Sequence, residues 1–291
     1  MRHLKNLWTL LRPRHWVKNG FVFLGFLFAN AWHQPGMTER VLLAAVSFSL
    51  VASGVYAFND LLDREEDRNH PKKKHRPLAS GSLSAASAIA VSGLFWGAGI
   101  VVAYAVSVRV MIVLVVYIIS NVAYSLGVKN VVLLDVFIIA AGFMLRILAG
   151  TVGVGIPPSQ WLLLCGFMIA LFLGFAKRRA ELYTAGGDGG SQRRVLSHYQ
   201  PVLLDKMIVI TATGVILAYS LYTMSPVTIQ IHHTEALIYT VPFVMYGIFR
   251  YIFTLHYRAT GADPSLEIFR DPHVLLSILG WLVVTLWLIA R

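Results

Sequence analysis

Asp60, Asp63 and Asp67 stand at i, i+3 and i+7, a spacing that projects all three carboxylates from one face if the segment is helical. Like charges so arranged repel, and the repulsion grows beside a low-dielectric slab, so a positive group has to offset it. Mg²⁺ suits this position, because it takes one or two carboxylates and completes its octahedron with water and phosphate oxygens. Directly downstream, Lys72, Lys73, Lys74, His75 and Arg76 offer donors for phosphate. The stretch Asn59–Gly81 therefore reads as a site for a metal-bound diphosphate. A cytoplasmic loop rich in Lys and Arg would account for the lysine run by topology alone. It would make no use of acids at helical spacing.

The elements that have to carry these residues are apolar. Eighteen residues without charge or proline, Val41–Phe58, lead straight into the acidic stretch, so a helix of membrane-spanning length is expected to end in the polar cluster. Across 291 residues, 57% are hydrophobic and 13% charged, with a mean hydropathy of +0.66. That composition places the chain in the integral membrane class. The net charge of +11 is dispersed between apolar runs, which argues against nucleic acid as a partner. No cleavable signal pattern opens the sequence, so the first span is expected to be retained. The lone Cys165 excludes an internal disulfide.

Nine spans are predicted: Val17–Ala31, Val41–Phe58, Ser84–Val106, Val110–Tyr124, Val131–Val152, Trp161–Ala176, Met207–Met224, Ala236–Leu255 and Val274–Ala290. With the N-terminus in the cytoplasm, every Lys and Arg except Arg40, Arg109, Arg146 and Arg291 falls on the cytoplasmic side, the asymmetry that fixes orientation. Every acid except Glu39 and Glu235 also falls outside the far-side loops. Acids contribute little to topology, so a catalytic cytoplasmic face is the simplest cause. The expected architecture is an all-α polytopic membrane protein forming one transmembrane domain over 1–291, with an amphipathic segment 1–16 and cytoplasmic loops 59–81, 177–206 and 256–273.

Further candidates follow from charge at membrane depth. Asp135 and Arg146 share one face of the fifth span but lie about 16 Å apart along it, too far for direct contact, so each should face another helix or a ligand. Tyr124-Ser-Leu-Gly-Val-Lys129 is a short polar connection. Lys177, Arg178 and Arg179 leave the sixth span, where Lys177 and Glu181 have the spacing of a helix-surface pair. The glycines of Ala185–Gly190 follow no strand and read as a flexible loop. Arg14, His15, Trp16, Lys18 and Asn19 open the first span and combine interfacial anchoring with cations. Gly93 with Gly97, and Ala149 with Gly153, are small pairs expected to pack within the bundle. His232 and His233 read as surface histidines.

These residues resemble the UbiA superfamily of intramembrane prenyltransferases. Asn59-Asp60-x-x-Asp63-x-x-x-Asp67 is similar to its first aspartate motif, and further similar stretches are Arg12–Asn19, His70-Pro71, Arg76-Pro77, Tyr124–Lys129, Arg146 with Ala149-Gly150, Lys177-Arg178 with Ala180–Leu182, and Glu267 with Arg270-Asp271. The resemblance implies nine helices around a cytoplasm-facing cavity, with Mg²⁺ held by Asn59, Asp60, Asp63 and Asp67. A second Asp-x-x-x-Asp motif, found where the donor is a prenyl diphosphate, is broken here: Asp135 is followed at i+4 by Ile139. The chain is most similar to the branch in which phosphoribosyl pyrophosphate is the donor and a polyprenyl phosphate the acceptor. On that resemblance Lys129, Arg146, Lys177 and Arg178 would share the donor's phosphates, and Arg14 and Lys18 would receive the lipid phosphate. Asn19, Lys74, Arg76, Tyr124 and Glu181 would complete the substrate contacts. Asp135 or a motif acid would stabilise the oxocarbenium charge. An aromatic or haem-type prenyltransferase is the alternative enzyme, and an organic-anion transporter the alternative class. A multi-pass location in the plasma membrane and a product destined for cell-wall or surface polysaccharide are implied by the same resemblance.

Overall fold

The uncharged run Val41–Phe58 lies inside a 26-residue helix, α3 (Met37–Leu62), in a computed structural model describing residues 2–70, 73–185, 194–257 and 271–290. Every regular element among them is helical. Before α3 come α1 (Arg2–Leu11), a 3₁₀ segment Pro13–Val22 and a short α2 (Phe23–Phe28). After it come α4 (Arg64–Arg68), α5 (Ala85–Val106), α6 (Val108–Leu126) and α7 (Leu134–Ala149). The remaining helices are α8 (Gln160–Ala185), α9 (Pro201–Met224), α10 (Pro226–His232), α11 (Val241–Tyr257) and α12 (Pro272–Ile289). They fall into two compact units, the first covering Met1–Pro158 and the second running from Ser159.

Within the first unit α3 is the hub, because 61% of its apolar window is buried against 17% for α5 and 22% for α6. A Cβ placed on Gly99 would lie 2.6 Å from Val51 Cγ2 and 3.0 Å from the Ser47 carbonyl oxygen, so glycine is what allows α5 to approach the α3 backbone. Gly93 and Gly97 do not serve this purpose. A Cβ on either meets nothing within 4 Å, so these two face outward, contrary to the expected packing role. Ser107 caps α6 by accepting from the Val110 N–H at 3.1 Å and donates to the Gly153 carbonyl at 2.6 Å, tying the α5–α6 corner to the chain after α7.

Seven helices among the described residues are long and apolar enough to cross a membrane. Of the nine predicted spans, Val17–Ala31 and Val131–Val152 do not appear as such helices. The first is broken into the 3₁₀ segment and α2, with Pro13 at its start. The other is the 16-residue α7, about 24 Å long. These two irregular elements pack together: a Cβ on Gly150 would sit 1.7 Å from the Val22 carbonyl oxygen.

In the second unit, polar pins join the helices. Tyr219 OH accepts from Trp281 Nε1 at 2.7 Å and shares a hydrogen bond with Thr240 Oγ1 at 2.6 Å. Asp271 caps α12 through the His273 and Val274 N–H groups and receives Arg250 Nη2 at 2.9 Å. His232 departs from its expected surface position: it is buried beside Tyr222, whose hydroxyl lies 3.1 Å from Nε2, because α10 folds back on α9. His233 stays exposed.

Candidate metal and diphosphate site

The predicted single stripe of aspartates is bent. α3 stops at Leu62, Asp63 occupies the junction, and α4 resumes at Arg64. Asp60 and Asp67, both buried, consequently converge on one guanidinium: Arg76 Nη1 donates to Asp60 Oδ1 at 3.0 Å and to Asp67 Oδ2 at 2.6 Å. Asp63 turns to another element, accepting from Lys129 Nζ at 2.5 Å. Asn59 Oδ1 accepts the Ser125 hydroxyl from α6.

Arg76 reaches α3 because its loop folds back. The Arg76 N–H bonds to Lys73 O, Ser80 N–H to Arg76 O, and Arg68 Nε to Ala79 O at 3.2 Å. Leu78 and Leu83 then bury with Leu10 of α1, Ala57 of α3 and Ala88 of α5. This apolar clasp fixes a loop that would otherwise be solvated. Lys73 Nζ stands 4.0 Å from Asp67, while Lys74 is exposed.

Arg12, which lies in the stretch Arg12–Asn19 that resembles the family, also joins these carboxylates. Its Nη2 donates to Asp60 Oδ1 at 2.5 Å and its guanidinium lies 5.5 Å from the centre of the Tyr56 ring. Its backbone is left-handed, with φ 51 and ψ 56, a conformation costly for a residue with a Cβ and concentrated at functional sites. Residue type and spacing carry no sign of that turn.

Arg146 does not join the cluster. It is buried, and its Nε donates to Asn19 Oδ1 at 2.9 Å, Nη1 to the Gly142 carbonyl at 2.7 Å and Nη2 to Tyr117 OH at 3.2 Å. The rings of Phe48, Tyr117 and Phe143 surround it at 4.6, 5.0 and 5.5 Å. Asn19 in turn donates to Ser49 at 2.7 Å. Phe48 and Ser49 lie roughly 17 Å along α3 from Asp60, so the contacts of Arg146 and Asn19 are made away from the carboxylates. Asp135 is wholly buried in the first turn of α7, where the helix dipole favours an anion, and Leu133 just before it adopts φ 69. Tyr124 and Lys18 are half-buried and Arg14 is exposed.

Lys177, Arg178 and Glu181 belong to the second unit, where α8 continues past the predicted end at Ala176. Arg178, fully buried, pairs with Glu181 Oε2 at 2.5 Å, and Arg179 pairs with Asp205 at 2.9 Å. Glu267 and Arg270, which also resemble the family, lie outside the described residues.

Among the described residues no group of three or more Asp, Glu, His or Cys side chains is gathered as for a metal. Asp60 and Asp67 nevertheless fit a divalent ion as a pair, since both already share one cation, Arg76, and the ligand type suits Mg²⁺.

Residues 20–270 match the UbiA prenyltransferase family. The chain belongs to this family. UbiA relatives include a decaprenyl-phosphate phosphoribosyltransferase of Mycolicibacterium smegmatis, 36% identical over 219 residues, covering 74% of this chain and 69% of that one. One of the same name from Corynebacterium glutamicum is 35% identical over 280 residues, covering 93% and 82%. Among solved structures, a UbiA homolog from Archaeoglobus fulgidus bound to DMAPP and Mg²⁺ aligns with a TM-score of 0.74 at 18% identity, over 98% of this chain and 99% of that one. The fold is thus a UbiA fold, and the protein is a multi-pass membrane protein.

Proposed function

We propose that this UbiA protein is a membrane phosphoribosyltransferase that moves 5-phosphoribose from phosphoribosyl pyrophosphate to a polyprenyl phosphate and releases pyrophosphate. The observation that carries the reading is the convergence of two buried carboxylates, Asp60 and Asp67, on one guanidinium, that of Arg76, beside further basic groups. The names of the relatives at 36% and 35% identity support the donor and acceptor.

Asp60 and Asp67 would hold Mg²⁺, with Asn59 and Asp63 next to them in sequence. When bound, the ion supplies positive charge that stabilises the departing pyrophosphate. Arg12, Lys73, Arg76 and Lys129 face the same group and share its charge through charge-assisted hydrogen bonds. The attacking lipid phosphate is already an anion, so no strong general base is required. Arg14 and Lys18, on the 3₁₀ segment, receive that phosphate, and Tyr124 and Lys74 border the donor. Asp135 is assigned to the positive charge that develops at the anomeric carbon. Arg146 and Asn19 are assigned to holding the bundle. In this reading the 3₁₀ segment with α2, and α7, complete nine crossings in the plasma membrane, with the N-terminus and the site on the cytoplasmic face.

Purified protein incubated separately with labelled phosphoribosyl pyrophosphate and with a labelled polyprenyl diphosphate tests the choice of donor. Label transfer to polyprenyl phosphate is expected only from the first. Turnover of only the second, with an aromatic acceptor, would reject the proposal.

A further inference from the structure

Four basic side chains close on three carboxylates at the inner end of α3. Arg12 and Arg76 meet Asp60 at 2.5 and 3.0 Å, Arg76 and Lys73 meet Asp67 at 2.6 and 4.0 Å, and Lys129 meets Asp63 at 2.5 Å. Basic groups are already in excess before any ligand arrives. Arg76 spans the two carboxylates best placed to share a metal, so its Nη1 stands where the divalent ion would have to be.

We propose that Arg76 is an internal counter-ion that has to leave Asp60 and Asp67 as the metal arrives, so that the site loads a divalent ion as its diphosphate complex and not as the free ion. The inference rests on the reading of this cluster as a metal–diphosphate site. A free dication would add charge to a cluster already rich in cations and would leave the displaced guanidinium beside it without an acceptor. A diphosphate reverses both terms, because it brings net negative charge and offers Arg76 oxygens in place of the carboxylates it gives up. Arg76 meets both carboxylates through Nη1, and its guanidinium offers phosphate oxygens the planar, bidentate set of donors that a point-charge ammonium lacks. The side chains of Arg76 and Arg12 are 27% and 23% exposed against 4% for both Asp60 and Asp67, so the cations have room to swing while the carboxylates stay fixed.

The experiment is Mn²⁺ binding to the full chain in lipid nanodiscs, read by electron paramagnetic resonance with and without inorganic pyrophosphate. Wild type is expected to bind Mn²⁺ at least about tenfold more tightly with pyrophosphate than without, within the usual range of coupling between two ligands. Arg76→Gln is expected to bind Mn²⁺ alone about tenfold more tightly than wild type and to lose most of the pyrophosphate effect. Equal Mn²⁺ affinity of wild type with and without pyrophosphate, or an unchanged metal-only affinity in Arg76→Gln, overturns the proposal. Should the variant fail to fold, the two wild-type measurements decide alone. Absence of Mn²⁺ binding under both conditions rejects the metal–diphosphate reading itself as well.

Discussion

Asp60 and Asp67 are neutralised as ions by Arg12 and Arg76, whereas Arg146, lower on the flank of α3, is held by an amide, a phenol, a backbone carbonyl and three aromatic rings. Both arrangements bury charge in the same unit, and both lower its cost, by different physics. Ion pairs whose arginines keep 23% and 27% of their side chains exposed can be exchanged for another ion, provided the buried carboxylates are not left without a cation. A guanidinium whose three nitrogens each meet a fixed neutral acceptor, among rings that attract it, gains orientation but has no anion to trade. The first arrangement suits ligand exchange and the second suits a pin, although the two arginines look alike in sequence.

Removing the acids should produce the largest effect. The double variant Asp60→Asn, Asp67→Asn is expected to lose turnover by about a thousandfold or more, ~4 kcal/mol of barrier, in a labelled-donor assay. Its melting temperature in detergent should stay near that of wild type, because Arg12 and Arg76 extend toward water. Activity within tenfold of wild type would show that the paired carboxylates are only structural.

Arg146 sharpens the contrast from the other side. Arg146→Met leaves Asn19 Oδ1 and Tyr117 OH without their partner, and two buried polar groups stranded in this way cost roughly 2–5 kcal/mol. The variant should melt earlier and accumulate less, while the fraction that folds keeps a KM for the donor within about threefold of wild type. A KM that rises strongly at an unchanged melting temperature would make Arg146 a phosphate ligand after all.

How far the sequence reached follows the same division. Apolar run length makes most spans legible, and acid spacing singles out Asp60 and Asp67, which meet on one arginine, because periodicity is a local property. The break at Asp63, which sends that carboxylate to Lys129 on a distant turn, is set by tertiary contacts and leaves no mark in the spacing. Arg12 was hidden for a related reason: its left-handed turn is a backbone state forced by what surrounds it. Charge inside an apolar run marks Arg146 as unusual, and residue type alone does not say whether such a cation holds an anion or packs among rings.

The clasp between the two irregular elements offers a smaller test. Gly150→Ala would drive a Cβ into the Val22 carbonyl, and such overpacking costs about 1–3 kcal/mol. Because Val22 ends the segment that starts after Arg12, the displacement should lower turnover along with melting temperature, unlike Arg146→Met, which should lower mainly the latter. Equal effects on both quantities in the two variants would erase the distinction between site support and pin.

The smallest effect is expected in the second unit, where a third arrangement combines an ion pair with a helix cap. The Arg250 guanidinium beside Asp271, with the Val274 and His273 N–H groups behind it, holds the Asp271 carboxyl at about 2, below its ordinary 3.8. A carboxyl lowered in the folded state stabilises fully above its unfolded value and loses that contribution as pH falls through its folded value. Thermal unfolding in detergent should therefore show wild type losing stability relative to Asp271→Asn between about pH 4 and about pH 2, with a constant gap above pH 5. Parallel curves across the acid range would mean that the N–H caps of α12, which an amide oxygen also satisfies, outweigh the ion pair, and would place Asp271 with Arg146 among the pins whose strength does not depend on a paired charge.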